Sequence, residues 1–182
     1  SGRNVYDAFG RVAKAYYPTT EGMGGKTSFS TTFDNVSPTR TVYDVLDRAL
    51  SVKLPDDSET TTEYSLDNSS NALVTTVTDA LGNKQATHTN GSGKTVKSVQ
   101  MSGPDGEIAT SFEYDGIQRL VKVTDADENV TTSVYDMGDR RTEVNHPASG
   151  ITSFTYDPLG NVLTKQTANM AEEGKMITYT YD

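Results

Sequence analysis

A Tyr-Asp pair recurs along this chain with the same residues behind it, and the spacing leaves room for little except two short strands and their connections. Tyr114-Asp115-Gly116-Ile117-Gln118-Arg119, Tyr135-Asp136-Met137-Gly138-Asp139-Arg140 and Tyr156-Asp157-Pro158-Leu159-Gly160-Asn161 follow one another at intervals of 21 residues. Upstream, Tyr6-Asp7 leads to Arg11 and Tyr43-Asp44 to Arg48 in the same pattern, and Thr78-Asp79-Ala80-Leu81-Gly82-Asn83 reads as the unit without its tyrosine. Two strands of about six residues plus two connections fill such an interval, so the unit is a β-hairpin.

Each part of the unit has a separate task. Ahead of the turn, Phe112 and Tyr114, Phe154 and Tyr156, or Ile177, Tyr179 and Tyr181 alternate with polar residues, which directs the larger groups to one inward face. The aspartate accepts bonds from backbone amides further on, and the glycine that often follows supplies the positive φ of a bulged hairpin turn. Leu50 and Val52, or Val121 and Val123, continue the alternation on the return strand. Pro18, Pro55 and Pro147 each stand seven places after the unit's arginine, where a missing amide donor ends a strand. Before residue 110 the rhythm loosens: Asp7, Asp44, Asp79 and Asp115 leave room for a degenerate hairpin between each pair. Phe33-Asp34, Tyr64 with Asp67-Asn68, and Pro104-Asp105-Gly106 are its expected remnants, and residues 22–25 and 90–94 read as turns or longer loops.

Composition supports strands: 27 threonines, ten tyrosines and 15 glycines accompany no long stretch of helical apolar spacing. One helical turn near Asn169–Glu173 is the exception. At 182 residues the chain is long enough to bury a real core. A net charge of −9 disfavours nucleic acid and anionic lipid as partners. No apolar run exceeds three residues, which excludes a membrane-spanning helix, and the absence of cysteine removes disulfides, thiolate metal sites and a thiol nucleophile.

Taken together, the pattern Y-D-x-x-G-[RN]-[LV]-x-x-V, with T-x-x-Y-D about 21 residues on, resembles the YD repeat of Rhs proteins. Similar repeats occur in Tc toxin C components, wall-associated contact-dependent toxins and teneurins. The resemblance covers residues 1–182 as one segment of a longer array, with degenerate repeats over 1–110 and regular 21-residue repeats over 111–182. It implies an all-β fold of tandem antiparallel hairpins forming a curved open sheet, part of a shell that encloses a C-terminal toxin or effector. The implied partners are the rest of that shell and the enclosed domain, and the implied location is bacterial, secreted or at the cell surface. Shells of this kind end in a self-cleaving D-P-x-G-L segment. Asp157-Pro158-Leu159-Gly160-Asn161 departs from it at the last position and lies inside an ordinary repeat, so no protease residues are assigned. The alternative from a different class is a cell-surface adhesion or carbohydrate-binding module, with the tyrosines as a stacking ladder for glycans. Self-association through strand edges is expected of a segment cut from such an array.

No catalytic, cofactor-binding or metal residue is assigned. Asp125, Asp127, Asn129 and Asp136 stand at the first, third, fifth and twelfth positions of a calcium loop, but the sixth needs glycine and holds Val130. A degenerate turn at Asp125–Asn129 followed by a strand accounts for the same residues. His88 and His146 lie at strand ends and read as surface imidazoles, and Asp56-Asp57 and Glu172-Glu173 as solvated pairs. No G-x-S-x-G elbow, phosphate loop or HExxH pair occurs, so an enzyme is not expected.

Overall fold

The computed structural model describes residues 3–18, 36–101 and 106–182, so the Gly-rich stretch at 22–25, Phe33-Asp34 and Pro104-Asp105 lie outside the described residues. The fold is all-β, as the repeat predicts. Among the described residues fifteen strands form one open sheet in strict chain order, each next to its sequence neighbour. The strands are β1 (Asn4–Tyr6), β2 (Val12–Ala15), β3 (Thr39–Tyr43), β4 (Ala49–Lys53), β5 (Glu59–Asp67), β6 (Ala72–Thr78), β7 (Lys84–Thr89) and β8 (Thr95–Met101). They continue as β9 (Glu107–Tyr114), β10 (Leu120–Thr124), β11 (Val130–Tyr135), β12 (Arg141–His146), β13 (Gly150–Tyr156), β14 (Val162–Gln166) and β15 (Ile177–Thr178). The helix α1 (Ala168–Glu172) is a single turn and a half, opened by Thr167, whose hydroxyl accepts from the Met170 amide at 3.4 Å. No helix among the described residues is long and apolar enough to cross a membrane.

Contacts divide the chain into two compact units, Ser1–Thr87 with Gln100–Gly106, and His88–Val99 with Glu107–Asp182. In the first, the turns at Asp7, Asp44 and Asp67 share one end of the strands, while those at Leu54 and Asp79 lie at the other. In the second, the turns at Asp115, Asp136 and Asp157 share one end, and the turn at Asp125 and the link at Pro147 lie at the other. This corrects one reading of the sequence. Asp79 makes the same turn as Asp44 but at the opposite end of the sheet, so it is not a lost Tyr-Asp unit. Asp67 takes that place in the first unit, behind Leu66 instead of a tyrosine.

Every Tyr-Asp hairpin is bulged at the same point on its return strand. Partners run Val42↔Ser51 and then Tyr43↔Ala49, leaving Leu50 as the extra residue, and the same shift leaves Ala13, Val121, Thr142 and Leu163 extra in the other four. Such a bulge increases local twist and shifts the alternation by one place. Leu50 and Val121 are therefore outside the regular in-out pattern that the sequence suggested.

The expectation of a substantial core is also overturned. Among the described residues the buried apolar ones are Pro38, Ala72, Val74, Ala86 and Val99, most of them small. Among the described residues no second layer covers the sheet, so its apolar face has little to pack against. Phe112, Tyr114, Phe154 and Tyr156 do lie on one face, as their alternation predicts, yet they are half-buried rather than enclosed. What else holds the strands in register is found at the turns.

Candidate functional site

The repeated turn is a small, complete hydrogen-bonding device. In the Asp136 copy, the Asp139 amide donates to the Asp136 carbonyl at 3.3 Å and the Asp136 amide to the Arg140 carbonyl at 2.9 Å. Asp136 Oδ1 accepts from the amides of Gly138 at 2.8 Å and Arg140 at 3.0 Å, and Oδ2 from Arg140 Nε at 2.8 Å. The fourth residue has positive φ, which closes a type I turn with a glycine-type bulge. Asp7, Asp44, Asp79, Asp115, Asp125 and Asp157 build the same turn, with arginine or asparagine at the fifth position bonded to Oδ2. Asn90 builds it with its amide oxygen.

The left-handed fourth position separates good copies from strained ones. Gly10, Gly82, Gly93 and Gly160 fill it without cost, whereas Gln118 is held at φ 70°. Gln118→Gly should therefore raise stability by about 0.5–1 kcal/mol, the relief of a left-handed non-glycine less the added chain entropy. An unchanged or lower urea midpoint would show that the position carries no strain.

The arginine at the fifth position does more than cap its own turn, and this the sequence did not reveal. Arg140 Nη1 donates to the carbonyl of Asp157 in the next unit at 2.6 Å, and its guanidinium lies 5.1 Å from the ring centroid of Tyr156. Tyr156 in turn donates its hydroxyl to the carbonyl of Arg141 at 2.7 Å. The same exchange links Arg119 to Asp136 and Tyr135, with Tyr135 returning its hydroxyl to Leu120. It also links Arg11 to Asp44 and Tyr43, with Tyr43 returning to Val12. Arg48 over Tyr64, at 3.8 Å, and Lys94 over Tyr114, at 5.9 Å, make the ring contact without the bond from the cation to the next turn's carbonyl. At Arg11, Arg119 and Arg140 one unit thus grips the next through one cation, one aromatic face and two backbone carbonyls. The one available signal was that a basic residue keeps the same offset from its aspartate in unit after unit.

Electrostatics follow from this geometry. The Arg140 side chain, then its amide, holds the Asp136 carboxyl below the ordinary aspartate range, and the Arg119 amide and side chain do the same for Asp115. For Asp7 and Asp44 burial pushes upward, but the bonds from Arg11 and Arg48 outweigh it and the carboxyls titrate low. At Asp157 and Asp79 an asparagine side chain supplies the largest lowering. These carboxylates are committed as anions with their lone pairs occupied, the state of a structural cap rather than of a proton-transfer group.

The other candidates are placed plainly. Asp125 and Asn129 sit together in their turn, with the Asp125 oxygens engaged by the Asp127 and Asn129 amides and by Asn129 Nδ2. Asp136 lies at the far end of β11, about 20 Å of extended chain away, so the calcium-loop spacing does not become a ligand cluster. The turn at Asp125 is a full copy, not a degenerate one. His146 accepts from the Ala148 amide through Nδ1 at 3.1 Å and lines a hollow of about 260 Å³ with Asp125, Asn129 and Thr131. His88 lies in β7, and Pro158 occupies the second position of an ordinary turn. As for a sugar ladder, Tyr43, Tyr114, Tyr135 and Tyr156 each have a cation over the ring and a hydroxyl spent on a carbonyl. In these four, one ring face and the hydroxyl are already engaged within the sheet.

Comparison with known proteins agrees with this geometry. Residues 114–151 match the family described as RHS Repeat. The curated proteins contain no match. Among solved structures the chain is similar to the crystal structure of TcdB2-TccC3 without hypervariable C-terminal region, with 16% identity and a TM-score of 0.58 over 100% of this chain and 10% of that one. It is similar also to TcdB2-TccC3-TEV, at 16% identity and TM-score 0.55, and to TcdB2-TccC3, at 15% and 0.54, each over 92% of this chain and 9% of that one. At such identity the likeness is one of fold, and the chain spans about a tenth of the length of these proteins.

Proposed function

We propose that this chain, built of Rhs/YD repeats, is a non-catalytic wall segment of a shell that encloses a C-terminal toxin or effector, in a protein secreted or displayed at a cell surface. The observation that carries the reading is the grip of one turn on the next through arginine, tyrosine and aspartate, repeated at Arg11, Arg119 and Arg140. A wall must hold its register along its length without a core of its own, and that grip supplies the register at the turns. Support comes from the RHS repeat match and from the likeness of the whole chain to a tenth of TcdB2-TccC3 without hypervariable C-terminal region. The partners on this reading are the flanking shell segments and the enclosed domain.

The test is limited proteolysis of the full-length protein. An enclosed C-terminal domain should survive while exposed loops are cut, and Arg119→Ala with Arg140→Ala should open it to digestion at a faster rate. A C-terminal domain cut as quickly in the unaltered protein as when isolated would rule out enclosure.

A further inference from the structure

We propose that Asn90-Gly91 is a self-modification site, at which Asn90 is converted after folding to aspartate and the product completes the grip between this turn and Tyr114. The turn at Asn90 has the backbone of the others: its amide donates to the Lys94 carbonyl at 2.9 Å, the Gly93 amide donates to its carbonyl at 2.9 Å, and Gly93 has φ +77°. Asn90 Oδ1 accepts from the amides of Ser92 and Lys94, each at 3.0 Å. The mismatch is at the second side-chain atom. Where seven sister turns present Oδ2 to an arginine or asparagine donor, Asn90 carries an NH₂ group instead, and the fifth residue, Lys94, is itself a donor, so the pair lacks the acceptor that the sister turns have. Beyond it the link is already built: Lys94 Nζ lies 5.9 Å from the Tyr114 ring centroid, and Tyr114 donates to the Thr95 carbonyl at 2.9 Å. Only the anion is missing.

The chemistry needs water alone. The Gly91 peptide nitrogen attacks Cγ of Asn90 and loses its proton, a C–N bond forms, and Nδ2 leaves as ammonia, giving a five-membered succinimide. Water then adds at Cγ, the ring C–N bond breaks, and the nitrogen regains a proton, leaving aspartate. Three features favour this at Asn90. It is the one Asn-Gly pair in the sequence, and the space beside Gly91 is open, with no atom within 4 Å of where a Cβ would stand. The two amides on Oδ1 also draw electron density from the carbon under attack and stabilise the developing oxyanion. Asp115-Gly116 offers the same spacing, but its carboxylate is ionised and held by Arg119 Nε at 2.7 Å, which makes it a poor electrophile. Opening of the ring at the other carbonyl would put an extra carbon in the main chain and spoil the turn, so the folded turn favours the aspartate product.

The experiment is incubation of the purified chain at mildly alkaline pH, with tryptic peptides followed by mass spectrometry. The peptide ending at Lys94 should gain the mass of an NH₂-to-OH exchange, with aspartate as the main product. Gly91→Ala, which the turn tolerates because Ala8 and Ala80 hold the same position, should suppress the conversion. Asn90→Asp should raise the thermal midpoint above the unconverted chain, and that gain should vanish in an Asn90→Asp, Lys94→Met double variant. No mass change, isoaspartate as the main product, equal conversion in Gly91→Ala, or a lower midpoint in Asn90→Asp would each overturn the proposal.

Discussion

Acidification is expected to unfold this protein in one steep step below about pH 4, with stability nearly flat between about pH 5 and 7. Asp7, Asp44, Asp56, Asp67, Asp79, Asp115, Asp125, Asp136 and Asp157 are all held below the ordinary aspartate value in the folded chain. A depressed carboxyl contributes stability above its unfolded pKa and loses it as pH falls through the folded one. Each loss is modest because the groups are solvent-accessible and screened. Their sum is large because the window is shared: at nine carboxyls the unfolded chain takes up protons before the folded one does, over the same narrow range. Protonation also reduces the net charge of −9, which relieves self-repulsion and works in the opposite direction. That relief is diffuse, whereas every protonated cap leaves its own donors, an arginine, asparagine or serine side chain and the turn's backbone amides, with a weakened acceptor. Urea midpoints measured from neutral pH down to about pH 3 decide the matter, because a midpoint that holds through that range would mean that the caps contribute little.

The parts of the fold that were legible in the sequence are those whose chemistry is local. An aspartate followed by a residue suited to positive φ states its turn within five residues, and Phe112-Glu113-Tyr114 states its inward face within three. The grip of Arg140 on Asp157 and Tyr156 spans 17 residues, and that of Arg11 on Asp44 spans 33, so nothing in either unit alone announces it. Register before residue 110 was hidden for another reason. The backbone of the turn persists where its residues change, as at Asn90, a turn one residue longer replaces it at Asp67, and the look-alike at Asp79 belongs to the other end of the strands. The calcium spacing failed because β11 is extended: twelve residues that would curl round an ion instead carry Asp125 and Asp136 to opposite ends of the sheet. Length misled about the core, since the number of residues does not tell whether a sheet has a second layer.

Removing one grip should cost more than the exposure of its residues suggests, and the loss should appear in the neighbouring unit. Tyr156→Ala is expected to destabilise by about 2 kcal/mol, below the roughly 3 kcal/mol of a fully enclosed ring, because Tyr156 is half-buried. Tyr156→Phe should account for about 1 kcal/mol of that, the hydroxyl bond to the Arg141 carbonyl. Arg140→Ala should cost about 2 kcal/mol, since it removes the stack on Tyr156 and the bond to the Asp157 carbonyl together. The two sites share a contact, so the double variant should fall short of the sum by about 1 kcal/mol. Tyr6 sets the baseline: the residue is 58% exposed, and Tyr6→Ala should change stability by less than about 0.5 kcal/mol. Hydrogen exchange separates a local cap from a link between units. In Arg140→Ala the amides of Leu159 and Asn161, which belong to the Asp157 turn, should lose protection although no residue of that turn has changed. Strict additivity of Arg140→Ala and Tyr156→Ala, with protection lost only at Gly138 and Arg140, would reduce the arginine to a cap of its own turn.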